Sequence, residues 1–191
     1  METFLWPGCA PHQDEEPKVA VVLPGAGYKV EAPLLYWPAE LLTDRGWHVR
    51  AVRWTNDEPG DDPHGFAARA VEQAFAEAPP AGQRLIVAKS FGTFAMPWAD
   101  GANVPAIWLT PILTDDVIRR TLIESRKPDL LIGGDRDKFW VTAGLSETAA
   151  TFMEIPDADH SLQVPNDWRA SQAAQAQAFT AVERFVATLG A

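Results

Sequence analysis

Three side chains far apart in the chain carry the residue types of acyl-transfer chemistry: Ser90, Asp137 and His160. A serine hydroxyl is a weak nucleophile at neutral pH and needs a base within about 2.6–3.2 Å. An imidazole serves as that base, provided a carboxylate sets its tautomer and steadies the charge it acquires. Ser90 lies in the stretch Leu85-Ile86-Val87-Ala88-Lys89-Ser90-Phe91-Gly92-Thr93. The apolar residues at its start read as a buried strand. Ala88 and Gly92, two residues either side of the serine, let the backbone reverse sharply. This is a nucleophile elbow in outline, Gly-x-Ser-x-Gly with Ala88 in the first glycine position. On such a strand-to-helix corner the hydroxyl projects off the sheet, and the N–H of Phe91 falls where an oxyanion would form. Small-x-Ser-x-small is common by chance, so its meaning depends on what else converges on it.

The elements that would position these residues alternate between strand and helix. Strands are expected at Lys18 to Leu23, Trp47 to Trp54, Leu85 to Ala88, Val104 to Leu109, Asp129 to Ile132 and Thr151 to Ile155. The first of them is apolar without alternation, as in sheets covered on both faces. Helices are expected at Leu34 to Arg45, stopped by Gly46, and at Phe66 to Ala78, ended by Pro79-Pro80. A short helix after the elbow is expected to end near Trp98, because Pro97 falls inside it. Further helices are expected at Asp115 to Glu124 with Thr114 as N-cap, at Val141 to Ala149, and from about Asp167 to the stop at Gly190. In the last, Phe179, Val182, Val186 and Leu189 form the apolar stripe. Asn56 to Gly65 reads as a turn-rich loop. The gaps between strands are long enough for the crossovers that parallel neighbours require. The expected fold is therefore α/β: six mainly parallel strands with helices on both faces. Residues 1–17 form an N-terminal segment with Phe4, Leu5 and Trp6 as a candidate edge strand, and residues 18–191 form one domain.

In such sheets ligands bind beyond the carboxyl ends of the strands. The candidate residues all follow strands: Pro24-Gly25-Ala26-Gly27, Ser90, Gly133-Gly134-Asp135-Arg136-Asp137 and Ala158-Asp159-His160-Ser161. Of the four histidines, only His160 follows a strand end late in the chain. Asp135 competes with Asp137 for the acid's role. Asp137 is favoured because the extra residues let its side chain fold back toward the histidine loop. Asp157 and Asp159 read as solvated turn residues.

Composition narrows the function. The 191 residues include 16 basic and 26 acidic side chains, a net charge of −10. So acidic a chain has no electrostatic reason to seek nucleic acid or an anionic membrane. One cysteine, Cys9, permits no internal disulfide, which favours an intracellular, cytoplasmic setting, and it excludes metal sites of the multi-cysteine type. The N-terminus lacks the pattern of a signal peptide, and no apolar run approaches the ~20 residues of a membrane span. No cofactor is called for: Gly25 and Gly27 lack the third glycine and the downstream acid of a dinucleotide loop.

On the strength of these loops the chain resembles the α/β-hydrolases, in particular the small lidless enzymes of the dienelactone-hydrolase and acyl-protein-thioesterase type. The resemblance runs roughly from Lys18 to Leu189. Leu23-Pro24-Gly25-Ala26-Gly27 is similar to the family's His-Gly-x-Gly oxyanion loop, with Pro24 in place of His. Gly134-Asp135-Arg136-Asp137 matches its Gly-x-x-Asp acid turn, and Ala158-Asp159-His160-Ser161 resembles its histidine loop. The chain order Ser, Asp, His is also that of this architecture. The resemblance implies Ser90 as nucleophile, Asp137 as acid and His160 as base, with backbone N–H donors from Ala26 and Phe91. The gap between the fourth and fifth expected strands is too short for a cap domain, so the pocket is expected to be open and shallow.

Tyr28, Phe139 and Trp140 flank the expected site as an apolar acyl or aryl wall, and Thr110 ends a strand at its floor. Trp37, Trp98, Trp140 and Trp168 fall in or near loops and helix starts, whereas Trp47, Trp54 and Trp108 read as core. The expected activity is hydrolysis of a small ester or thioester through an acyl-enzyme on Ser90. Two other readings stay open: a catalytically silent binding protein on the same fold, and a nucleotide-binding α/β domain. The fold alone does not choose between them.

Overall fold

Short apolar runs bounded by turn residues become the strands of one sheet. The structure, a computed structural model, describes residues 1–9, 17–55 and 60–189. In chain order the elements are β1 (Glu2–Leu5), β2 (Lys18–Leu23), α1 (Pro33–Asp44), β3 (His48–Arg53), α2 (Pro63–Ala76) and β4 (Gln83–Lys89). A 3-10 helix (Ser90–Ala95) follows, then α3 (Met96–Gly101), β5 (Ala106–Leu109), α4 (Asp116–Glu124), β6 (Leu130–Gly134), β7 (Thr151–Ile155) and α5 (Trp168–Thr188).

The strands form a single seven-stranded sheet in the order β1-β3-β2-β4-β5-β6-β7. Every neighbouring pair is parallel except β1 and β3. The expected count of six is one short because the N-terminal edge segment does pair, with Thr3 opposite Val52 and Phe4 opposite Ala51. From β2 the chain winds first to β3 on one side, then through β4 to β7 on the other. The reversal lies between β2 and β4, and the crevice at such a switch point is where open α/β sheets take their ligands.

Alternate residues of the central strands feed two apolar layers. Leu85 and Val87 of β4 pack with Leu34 and Leu35 of α1 and Val182 of α5. Ile86 and Ala88 pack on the other face with Ala70 of α2, Met96 of α3 and Ile118 of α4. The connection from β5 to β6 holds only α4, and among the described residues no cap domain covers the rim.

Three local expectations are revised. Val141 to Ala149 is a run of turns, not a helix. The Arg119 guanidinium donates to the carbonyls of Val141 and Ala143, taking acceptors a helix would use, and Gly144 adopts a left-handed φ of +79°. After Ser90 the chain first forms the 3-10 helix. Pro97 then sits in the first turn of α3, where its missing N–H is not needed. The N-cap of α4 is Asp115, whose Oδ1 accepts from the N–H groups of Val117 and Ile118, not Thr114. Helix α2 begins earlier than expected, at Pro63 behind an Asp62 cap; residues 56–59 of the preceding loop lie outside the described residues.

At the amino end of the sheet, Asp129 is buried between strands. It accepts from the Ala106 N–H at 3.0 Å and from Trp108 Nε1 at 2.9 Å, and Lys127 Nζ lies 3.4 Å away. Burial pushes its carboxyl above the usual range, against the pull of Lys127 and these donors. Removing the carboxylate leaves two buried donors unpaired and the buried Lys127 ammonium, which still donates to Val104 O at 2.9 Å, without its counter-charge. Asp129→Ala is expected to lower unfolding free energy by about 3–5 kcal/mol, read from urea denaturation, with Asp129→Asn losing less. A loss under about 1 kcal/mol would contradict this role for the carboxylate.

Candidate active site

Ser90 follows β4 directly and takes a left-handed φ of +50°, an unusual conformation for a residue with a Cβ. The close packing of the corner demands Gly92. A Cβ there would lie 2.8 Å from both Leu23 Cβ and Pro24 O, at the end of the adjacent β2. The tight elbow turns the serine side chain toward the loops after β6 and β7.

Those loops bring the other two residues in. Asp137 follows β6; its Oδ1 accepts the Phe139 N–H at 2.9 Å, and its own N–H donates to Gly134 O at 3.1 Å. Asp137 Oδ2 lies 2.6 Å from His160 Nδ1, and His160 Nε2 lies 2.7 Å from Ser90 Oγ. A buried carboxylate only accepts, so Nδ1 carries the imidazole proton and Nε2 is left to accept from the serine hydroxyl. The Asp137 side chain is wholly buried whereas that of His160 is 31% exposed, so one end of the hydrogen-bond chain is dry and the other faces solvent. The two loops meet at Gly134, where a Cβ would clash with Ala158 O at 2.0 Å. Of the two acid candidates, Asp135 is exposed and Asp137 makes the contact.

The loop after β2 completes the rim. Gly25 donates its N–H to Tyr28 O at 3.0 Å, and a Cβ on Gly25 would stand 3.3 Å from Ser90 Cβ. Ala26 is exposed on this loop, next to Gly25. Phe91, at the start of the 3-10 helix, has an N–H with no partner inside that helix. A cleft of about 260 Å³ opens along the loop between Pro24, Tyr28 and Trp54. A larger groove of about 590 Å³ lies between β7 and α5. None of the three candidate residues lines either one; the smaller cleft reaches the site only through Gly25, which lies against Ser90.

No family model and no curated protein matches the chain in sequence. Solved structures do match it in three dimensions. Est1E from Butyrivibrio proteoclasticus, described with ferulic acid bound, superposes with a TM-score of 0.73 at 14% identity, over 98% of this chain and 94% of that one. XC6422 from Xanthomonas campestris, described as an α/β serine hydrolase without lid, gives 0.66 at 19% identity, over 97% and 87%. The esterase Pf2001 of Pyrococcus furiosus gives 0.68 at 14% identity, over 92% and 84%. The chain has the α/β-hydrolase fold.

Within this hydrolase fold the residues expected to line a substrate pocket part company. Phe139 stands edge-on to His160 with centroids 5.0 Å apart. Tyr28 borders the cleft, and its hydroxyl accepts the Leu34 N–H at 3.0 Å. Trp140 is buried in the layer below, its ring against Gly133 and its Nε1 donating to Glu154 at 2.9 Å. Thr110 is wholly buried at a φ of +43°, and its hydroxyl has no hydrogen-bond partner among the described residues. Trp54, read from the sequence as core, is half-buried against it and stands 5.6 Å from Phe91, in a cluster with Phe66 and Phe94. Trp37 and Trp168 are more than half exposed. Among the described residues no helix is long and apolar enough to cross a membrane, and no cluster of His, Cys, Asp or Glu is suited to a metal ion.

Sequence reasoning passed over Lys89. It is 2% exposed, its Nζ donates to His160 O at 3.0 Å, and it lies 4.5 Å over the Tyr28 ring. Burial pulls its ammonium down to about 8, against Asp137 and Asp159, which favour the charge. The signal that could have found it is phase. In a strand whose inward row is Leu85 and Val87, a charge two residues on falls on the same buried side.

Between about pH 8 and the ordinary lysine value of 10.5, the unfolded chain binds the proton that the folded chain has lost. Stability contributed by Lys89 therefore rises with pH across this window, by up to about 3 kcal/mol. The difference in unfolding free energy between wild type and Lys89→Met is expected to shift in favour of wild type from pH 8 to pH 10. A pH-independent difference would contradict the buried ammonium.

Proposed function

We propose that the protein is a serine hydrolase that cleaves a small ester or thioester through an acyl-enzyme on Ser90. The observation that carries this reading is the unbroken hydrogen-bond chain, 2.7 Å from Ser90 Oγ to His160 Nε2 and 2.6 Å from His160 Nδ1 to Asp137 Oδ2. A hydroxyl so placed loses its proton to Nε2 as Oγ attacks the acyl carbon. Asp137 then faces the imidazolium and holds it in place. The Ala26 and Phe91 N–H groups are the proposed donors to the carbonyl oxygen as it becomes an oxyanion. Collapse breaks the bond to the leaving oxygen or sulfur, which takes the proton from Nε2. Water then attacks the acyl-enzyme with the same base, and Ser90 leaves with its proton restored.

The lidless rim favours a small-molecule substrate that enters directly from solvent. Phe139 on the histidine side, with Tyr28 and Trp54 along the cleft, suits an apolar or aromatic acyl group. Est1E, on the same fold, is described with ferulic acid bound, an aromatic acid that fits this chemistry. The net charge of −10 argues against nucleic acid or an anionic membrane as partner.

A fluorophosphonate probe and a panel of p-nitrophenyl esters and acyl thioesters of rising chain length test the reading. The probe is expected to label wild type and not Ser90→Ala. Asp137→Asn is expected to keep the fold and lose about 10⁴-fold in kcat, from the wrong imidazole tautomer. A wild type inert to the probe and to every acyl substrate would sink the enzymatic reading and leave a binding protein on the same fold.

A further inference from the structure

We propose that Lys89 is a positioning residue: its ammonium ties the backbone of His160 and the ring of Tyr28 to the end of the strand that carries Ser90. Nucleophile, base and oxyanion loop are thereby held in register by one buried cation. The effect on rate rests on the hydrolase reading of Ser90; the effect on the placement of His160 does not.

Position 89 lies where an apolar side chain would be expected. Leu85 and Val87 point into the layer shared with α1 and α5, and Lys89 is next in that row. An apolar side chain would continue the row without desolvating a charge. The ammonium instead reaches the underside of the rim, where its partners come from three separate loops. From the loop after β7 it takes the carbonyl of His160, at 3.0 Å. From the loop after β2 it takes the face of Tyr28, at 4.5 Å. Asp137 after β6 and Asp159 after β7 supply the negative charges that face it.

Each partner is coupled onward to the chemistry. The Tyr28 carbonyl accepts the Gly25 N–H, and Gly25 lies against Ser90. The His160 residue held by its carbonyl is the one whose ring reaches both Ser90 and Asp137. With its main chain held, the imidazole keeps only two side-chain torsions to settle. A neutral amine would lose its attraction to Asp137, Asp159 and the Tyr28 ring, so the clamp loosens as Lys89 gives up its proton near pH 8.

The full-length chain and two readouts test this. The first is the rate of fluorophosphonate labelling at Ser90 against pH. The second is the downfield NMR signal of the imidazole proton between His160 and Asp137, which reports placement whether or not the protein is an enzyme. Wild-type labelling is expected to fall as pH rises above 8. Lys89→Met is expected to label about 10- to 100-fold more slowly at pH 7, to lack that alkaline fall, and to broaden or lose the imidazole signal. Lys89→Arg, which keeps charge and donors, is expected to recover the signal and part of the rate. A Lys89→Met protein with the wild-type rate, pH profile and imidazole signal would overturn the proposal and leave the hydrolase reading intact. A wild type that never labels, with the signal still lost in Lys89→Met, would remove the hydrolase reading and leave the positioning role. Should Lys89→Met fail to fold, Lys89→Gln, which removes the charge and keeps an amide donor, takes its place: a wild-type labelling rate and imidazole signal in it overturn the clamp.

Discussion

The structure depends on one constraint: three loops that follow β4, β6 and β7 must approach within hydrogen-bond distance at the same edge of the sheet. Parallel pairing makes this approach available, because every strand of the set ends at the same rim. Close packing then makes it tight. Gly92 lets the elbow lie on the end of β2, and Gly134 lets the acid loop lie on the backbone of Ala158. Neither position has room for a single methyl group. The two short hydrogen bonds of the Ser90–His160–Asp137 chain follow from backbone contacts made elsewhere.

Several buried polar groups and two left-handed residues gather at this edge. Ser90 and Thr110 both hold a left-handed φ, and the Thr110 hydroxyl is buried without a partner among the described residues. Lys89 is an ammonium inside an otherwise hydrocarbon row. Each of these is locally unfavourable, and each is held by surroundings that over-determine it, the usual company of functional sites. The buried Asp129 and Lys127 at the opposite end of the strands are different in kind. There the carboxylate joins β5 to the start of β6 through satisfied donors, and no candidate residue lies within its contacts.

The aromatic side chains sort by the same geometry. Trp108 and Trp140 find acceptors for their indole N–H groups and disappear into the core. Trp54, at the end of β3, joins Phe66, Phe91 and Phe94 beside the elbow. The proposed apolar wall would draw on two groups of rings. One is this cluster, and the other is Phe139 against His160.

Most of the architecture and the three candidate residues were legible in the sequence. Strands buried on both faces are continuous apolar runs, and a serine, a carboxylate and a histidine each placed just after such a run share a rim by topology alone. Loop length also favoured Asp137 over Asp135. What depends on neighbours distant in the chain was out of reach. The N-terminal edge strand was a candidate, but its bounds, Glu2–Leu5, and its antiparallel pairing are set by β3. The expected helix over Val141 to Ala149 is a run of turns, with Arg119 of α4 bonded to its carbonyls. The role of Lys89 became visible only when His160 and Tyr28 were seen to close over it. Periodicity and residue type are local properties, so they determined the elements and the chemistry on offer. Distances between side chains 23 and 70 positions apart are set by how the sheet twists and packs, and only the tertiary structure decided those.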